Sequence, residues 1–137
     1  NHWVLCLQTS PDSSVMLDMA PGYGTDGLRG KIQVSSLNNV PYTDETLHAF
    51  SYTPLKSDIT VGEIRRLINV NGRDPFKFSP EWEGCRFWLS VVTKDLEEAG
   101  IVKGGSAAEA EGALFMYWRN PEGSEPRVMR KGVFRGK

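Results

Sequence analysis

The spacing of apolar residues changes near residue 57, and this constrains the fold more than any other feature of the chain. Before that point, apolar residues alternate with polar ones in short runs, the period of strands with one buried face. After it, they recur at three and four, the period of a helix face. A chain that begins with consecutive strands and continues with helices folds as α+β: an antiparallel sheet with helices packed on it.

The first run, Trp3 to Gln8, stops at Thr9-Ser10-Pro11-Asp12-Ser13-Ser14, a dense turn cluster. Val15 to Ala20 follows, so the two runs predict a hairpin with a loop of several residues. Pro21 to Gly27 reads as a glycine-rich loop, and Gly30 to Leu37 as a half-exposed third strand carrying Ile32 and Val34. Thr46 to Leu55 alternates as a fourth strand. Ser57-Asp58-Ile59-Thr60 then offers N-cap residues, and Glu63, three positions after Thr60, completes a capping box. Val61, Ile64, Leu67 and Ile68 share one helical face, which Asn71-Gly72 ends. Phe76-Lys77-Phe78 predicts a short strand between two proline breaks. A second helix runs from Cys85 to Ala99, with Phe87, Val91, Val92, Leu96 and Ala99 facing inward and Gly100 as its cap. A third follows Gly104-Gly105-Ser106, from Ala107 to about Trp118. Arg127 to Phe134 is polar enough for a final edge strand. The expectation is one domain over residues 1–137, with a sheet of four to five strands and about three packed helices.

Charge narrows the partners. With 16 basic and 17 acidic residues the net charge is −1, which gives no electrostatic case for nucleic acid or an anionic membrane. No apolar run approaches the roughly 20 residues of a membrane helix. No signal peptide pattern is visible, so the expected location is cytoplasmic. The expected partner is a small-molecule or acyl substrate. The 2 cysteines cannot form a disulfide framework. With 2 histidines and no CxxC or HxxxH spacing, neither a metal nor a cofactor is expected. Oligomeric state has no signal in the sequence.

Cys85 carries the chemical signal. It lies in Glu83-Gly84-Cys85-Arg86-Phe87-Trp88, where a loop turns into a helix. A thiol at a helix N-terminus meets the positive end of the macrodipole and unpaired N–H groups, both of which favour the thiolate. The Arg86 charge is expected to lower the thiol pKa further. The same residue would also fit a buried helix cysteine, as Cys6 fits a buried strand thiol. His2 opens His2-Trp3-Val4-Leu5, held at a sheet end, and is the expected base. His48 competes with it but falls within a strand pattern, where a structural histidine is the simpler reading. Asp18 faces away from Leu17, either into solvent or toward an imidazole on the neighbouring strand. Trp3, Trp82 and Trp88, with Arg86, are the candidate substrate contacts, although each tryptophan also fits core packing.

These residues together resemble the lecithin–retinol acyltransferase-like branch of the permuted papain-like superfamily. There the histidine precedes the cysteine and opens the first strand in a His-Trp context, as His2-Trp3-Val4-Leu5 does here. A second polar catalytic residue lies on the next strand before an apolar-Ala-Pro stretch, the place of Asp18-Met19-Ala20-Pro21, although the family often has histidine there. The cysteine begins a helix, as in Gly84-Cys85-Arg86-Phe87. The family's usual polar neighbours of that cysteine are replaced here by Gly84, Arg86 and Phe87. No stretch resembles the hydrophobic anchor of the lipid-modifying members, so a membrane lipid substrate does not carry over. The chain is also similar to a group of short fungal proteins sharing the His-Trp start and a Gly-Cys-Arg-aromatic-Trp helix, a resemblance that brings no function with it.

The resemblance implies a papain-like fold and a cysteine-dependent acyl hydrolase or acyltransferase. Cys85 would attack an ester, thioester or amide, His2 would serve as base, and Asp18 would orient His2. The alternatives are a non-catalytic binding module of the same shape, or a cyclase that uses the pocket without covalent chemistry.

Overall fold

The computed structural model of the protein describes residues 2–37, 51–52, 54–55, 58–118 and 123–135. Strands β1 (Leu5–Ser10) and β2 (Ser13–Tyr23) form an antiparallel hairpin with Leu5 opposite Leu17 and Cys6 opposite Met16. The turn is only Pro11-Asp12, tighter than the expected loop. Its polar neighbours are strand ends: the hydroxyls of Thr9 and Ser10 meet Ser13 Oγ at 2.7 and 2.6 Å. These contacts offer the hydroxyls local partners, which is why the segment reads as a turn in sequence. Strand β3 (Arg29–Leu37) pairs with β2, with Asp18 opposite Gln33. β2 continues through Pro21-Gly22-Tyr23, the start of the expected loop, by a register shift between Ala20 and Tyr23.

His48 and most of the expected fourth strand lie outside the described residues. Within its described part, Pro54 makes one isolated antiparallel bridge with Val102. The sheet is instead extended by β4 (Phe76–Lys77), the short strand expected there. β5 (Met116–Trp118) and β6 (Ser124–Pro126) form a separate two-stranded sheet, and β7 (Val133–Phe134) lies at the edge of the main sheet. Main-sheet order is β1-β2-β3-β4-β7, with each pairing antiparallel.

Helix α1 (Val61–Val70) starts at Thr60, whose side chain accepts from the Glu63 N–H at 3.1 Å. Helix α2 (Cys85–Glu98) has a broader hidden face than expected. Val92 and Leu96 are buried, together with Trp88, Leu89 and Thr93, while Phe87 and Val91 are half-buried and Ala99 is exposed. The reason is that α2 packs against both β2 and α3, so more than one stripe is covered. Helix α3 (Ser106–Leu114) is shorter than expected. Met116, Tyr117 and Trp118 leave it to pair with Pro126, Glu125 and Ser124, a tertiary pairing that overrides the local helical pattern.

The core lies between sheet and helices. Leu17 and Met19 of β2, Phe76 of β4, and Trp88 and Val92 of α2 are all at most 1% exposed. Burial of Leu17 and Met19 on one face puts Asp18 on the other. The fold is α+β: among the described residues, a five-stranded antiparallel sheet with three helices.

Candidate active site

The loop before Cys85 is closed on itself. Ser79 N–H donates to the Glu83 carbonyl at 2.9 Å, and Trp82 N–H donates to the Ser79 carbonyl at 2.9 Å. Gly84 sits where a Cβ would come within 3.1 Å of the Phe76 ring and 3.2 Å of the Phe78 ring. A larger residue would push the start of α2 off these rings. Gly84 also has no side chain to cap the helix, and its carbonyl accepts from the Trp88 N–H at 2.9 Å. The first-turn N–H groups of α2 therefore have no side-chain cap, and they form a positive surface beside the thiol.

Cys85 is 8% exposed. Its sulfur is hydrogen-bonded by the His2 ring and by the Trp3 backbone N–H. Burial pushes the thiol pKa up, but these two hydrogen bonds and the His2 charge outweigh burial and hold it below the ordinary thiol value. The coupling is mutual. The hydrogen bond to Cys85 raises the His2 pKa against the effect of burial, and Asp18 adds to the rise, bringing it to about 9. His2 Nε2 lies 2.6 Å from Asp18 Oδ1. Each contact thus favours the charged form of its partner: His2 lowers the Cys85 pKa, and Cys85 and Asp18 raise that of His2.

The hairpin explains how the pieces meet. His2 precedes β1, and the pairing of Leu5 with Leu17 brings the segment before β1 alongside Asp18 and its neighbours. The same placement sets Trp3 N–H against the first residue of α2.

Two of the expected substrate contacts are not surface groups. Trp88 is 1% exposed, and its Nε1 donates to the Arg73 carbonyl at 2.8 Å. It is a core residue, because the face of α2 that carries it turns toward the sheet. Arg86 is also buried, and its guanidinium donates to the carbonyls of Leu114 at 2.9 Å, Arg127 at 3.1 Å, and Val128. The hydrogen bonds to the sulfur come from His2 and Trp3, not from Arg86. Trp3 is half-buried against the core. Trp82 is 55% exposed with a left-handed backbone (φ 63°), its ring over Gly27. A left-handed non-glycine residue costs about 1–2 kcal/mol, so the closed loop around Ser79 holds it there.

Sequence reasoning did not find the Trp3 N–H, a backbone donor with no side-chain signature. It also missed the link from Glu83 to Arg127 Nη2 at 3.1 Å and to Arg130 Nε at 2.9 Å. The basic run after residue 126 signals those arginines only as surface charge. Among the described residues, no group of three or more His, Cys, Asp or Glu side chains is arranged to hold a metal ion. No helix among them is long and apolar enough to cross a membrane.

Fold and site together define an α+β domain carrying a linked cysteine, histidine and aspartate. The chain belongs to the family described as a domain of unknown function (DUF7770), whose profile matches residues 1–135. No curated protein and no solved structure matches it.

Proposed function

We propose that this protein is a cysteine-dependent acyl hydrolase or acyltransferase acting on a small ester, thioester or amide. The observation that carries the reading is the His2 ring, bonded at once to Asp18 and to a Cys85 that starts a helix. The order of the parts, with histidine ahead of the first strand and cysteine at a later helix start, supports a permuted papain-like relationship.

In the proposed reaction the Cys85 thiolate attacks the carbonyl carbon, and the carbonyl π electrons move onto oxygen. First-turn N–H groups of α2 stabilise that oxyanion. On collapse, the bond to the leaving group breaks and the His2 imidazolium gives it a proton, leaving an S-acyl Cys85. Water or an amine then attacks the thioester while neutral His2 takes its proton, and Cys85 leaves as thiolate. Asp18 holds the imidazole in orientation throughout. Trp3, whose N–H acts on Cys85, and the exposed Trp82 are the proposed contacts for an apolar part of the substrate.

The test is intact-mass analysis after incubation with panels of acyl thioesters, esters and amides. One panel member should add its acyl mass to wild-type protein, mapped to Cys85, and Cys85→Ala should not take it up. Turnover that survives in Cys85→Ala with unchanged circular dichroism would reject covalent catalysis and favour a binding or cyclisation role.

A further inference from the structure

The nucleophile is flanked by two charged residues that both reach the same distant segment. Two residues before Cys85, the Glu83 carboxylate pairs with Arg127 and Arg130 at 3.1 and 2.9 Å, and Arg130 also approaches Glu81 at 3.7 Å. One residue after it, Arg86 donates to the carbonyls of Arg127 and Val128. The segment 127–130 thus touches the chain on either side of Cys85, by ion pairs on one side and by backbone hydrogen bonds on the other.

The two attachments differ in kind. The Arg86 contacts to this segment are part-buried and directional, made to backbone carbonyls by a guanidinium that is itself buried. The arginine side chains of the ion pairs are 49% exposed, and exposed pairs contribute little to stability. What they do change is local charge. The Glu83 side chain is only 24% exposed, so its charge is poorly screened by water. An uncompensated carboxylate two residues before a thiol disfavours the thiolate. The charged groups around Cys85 are His2, with Asp18 behind it, on the hairpin side, Arg86 on α2, and Glu83 with its two arginines on the loop side. They act on one another: burial lowers the Arg86 pKa, while the charges of Glu83 and Cys85 oppose that fall.

We infer that segment 127–130 is a positioning element for Cys85: Arg86 fastens its backbone to the first turn of α2, and Arg127 and Arg130 cancel the Glu83 carboxylate that would otherwise oppose the thiolate facing His2. Neither arginine touches the reacting atoms. The inference rests on the catalytic reading of Cys85, but its test needs no turnover.

The experiment measures the rate of Cys85 alkylation by iodoacetamide as a function of pH, by peptide mass, in the full chain. In the Arg127→Ala/Arg130→Ala variant the midpoint should move to higher pH. The rate near about pH 6 should fall roughly three- to tenfold, as one displaced charge at short range demands. Arg127→Lys/Arg130→Lys should keep most of the wild-type rate. Adding Glu83→Gln to the double alanine variant should restore it, because the carboxylate that needed cancelling is gone. A merely structural role would not give this rescue. An unchanged profile in the double alanine variant, or a loss that Glu83→Gln does not restore, overturns the inference. The two levels separate cleanly. A wild-type Cys85 that titrates like an ordinary thiol defeats the catalytic reading itself, whereas a depressed wild-type value unmoved by the arginine variants defeats only this inference.

Discussion

Replacing His2 by alanine isolates the interaction on which the proposed chemistry depends. The His2 pKa rises from 6.5 to about 9, chiefly through its hydrogen bond to Cys85. At about 1.36 kcal/mol per unit, that rise would correspond to a little over 3 kcal/mol. The ring is 49% exposed, so water screens the interaction, and about 1–2 kcal/mol is the defensible figure. Coupling between two sites is reciprocal. Whatever the thiolate does for the imidazolium, the imidazolium does for the thiolate. Without His2, Cys85 keeps the burial that pushes its pKa up and loses the strongest opposing contact. The thiolate population near neutral pH should then fall roughly 5- to 30-fold. The sign across pH follows. Below the depressed thiol pKa, thiolate falls in both proteins. Near pH 6 to 7 the wild type is well ahead. The two converge only above the pKa that burial alone gives the thiol, which lies higher than the ordinary thiol value. Iodoacetamide labelling read by peptide mass measures this, with Cys6 as internal control, since burial raises the Cys6 pKa and His2→Ala should leave it unmoved. If His2→Ala labels Cys85 along the wild-type profile, or if wild-type Cys85 titrates no lower than Cys6, the thiolate–imidazolium reasoning fails.

Asp18→Asn should pull the His2 pKa from about 9 back toward 6.5, because the carboxylate is one of its raising contacts; the alkaline limb of any pH–rate profile should move to lower pH, and a limb that stays put would remove Asp18 from the site. Trp88→Ala should cost about 3–5 kcal/mol by denaturant unfolding, as expected for a buried indole. Trp88→Phe should stay folded with KM unchanged, and a raised KM without loss of stability would return Trp88 to the substrate cleft.

Most of the architecture was legible because period and capping are local. The Thr60–Glu63 cap, the paired apolar runs of β1 and β2, and the glycine ahead of Cys85 each act within a few residues, so the sequence displays them directly. The failures are non-local. Met116 to Trp118 carries a pattern compatible with the end of a helix, and only its pairing with Ser124–Pro126 makes it a strand. Ala99 has the right spacing for the inner face of α2, but the packing of α2 against β2 and α3 decides which positions are covered.

The site divides the same way. Cys85, His2 and Asp18 can be nominated from residue type and element ends, because a nucleophile, a base and an orienting acid need particular side chains. Their tuning cannot be read in this manner. Arg86 is adjacent to Cys85 in sequence and its charge and that of Cys85 do act on each other, yet the hydrogen bonds of its guanidinium go to carbonyls from residues 114, 127 and 128. The donor that helps hold the sulfur is the backbone N–H of Trp3, available at any non-proline residue and so invisible in composition. A neighbour in sequence shares an element with the nucleophile, but the geometry of a helix start sends its side chain elsewhere. The groups that hold the Cys85 pKa down, His2 and the Trp3 N–H, arrive from the segment before β1. Only pairing between distant parts of the chain could place them.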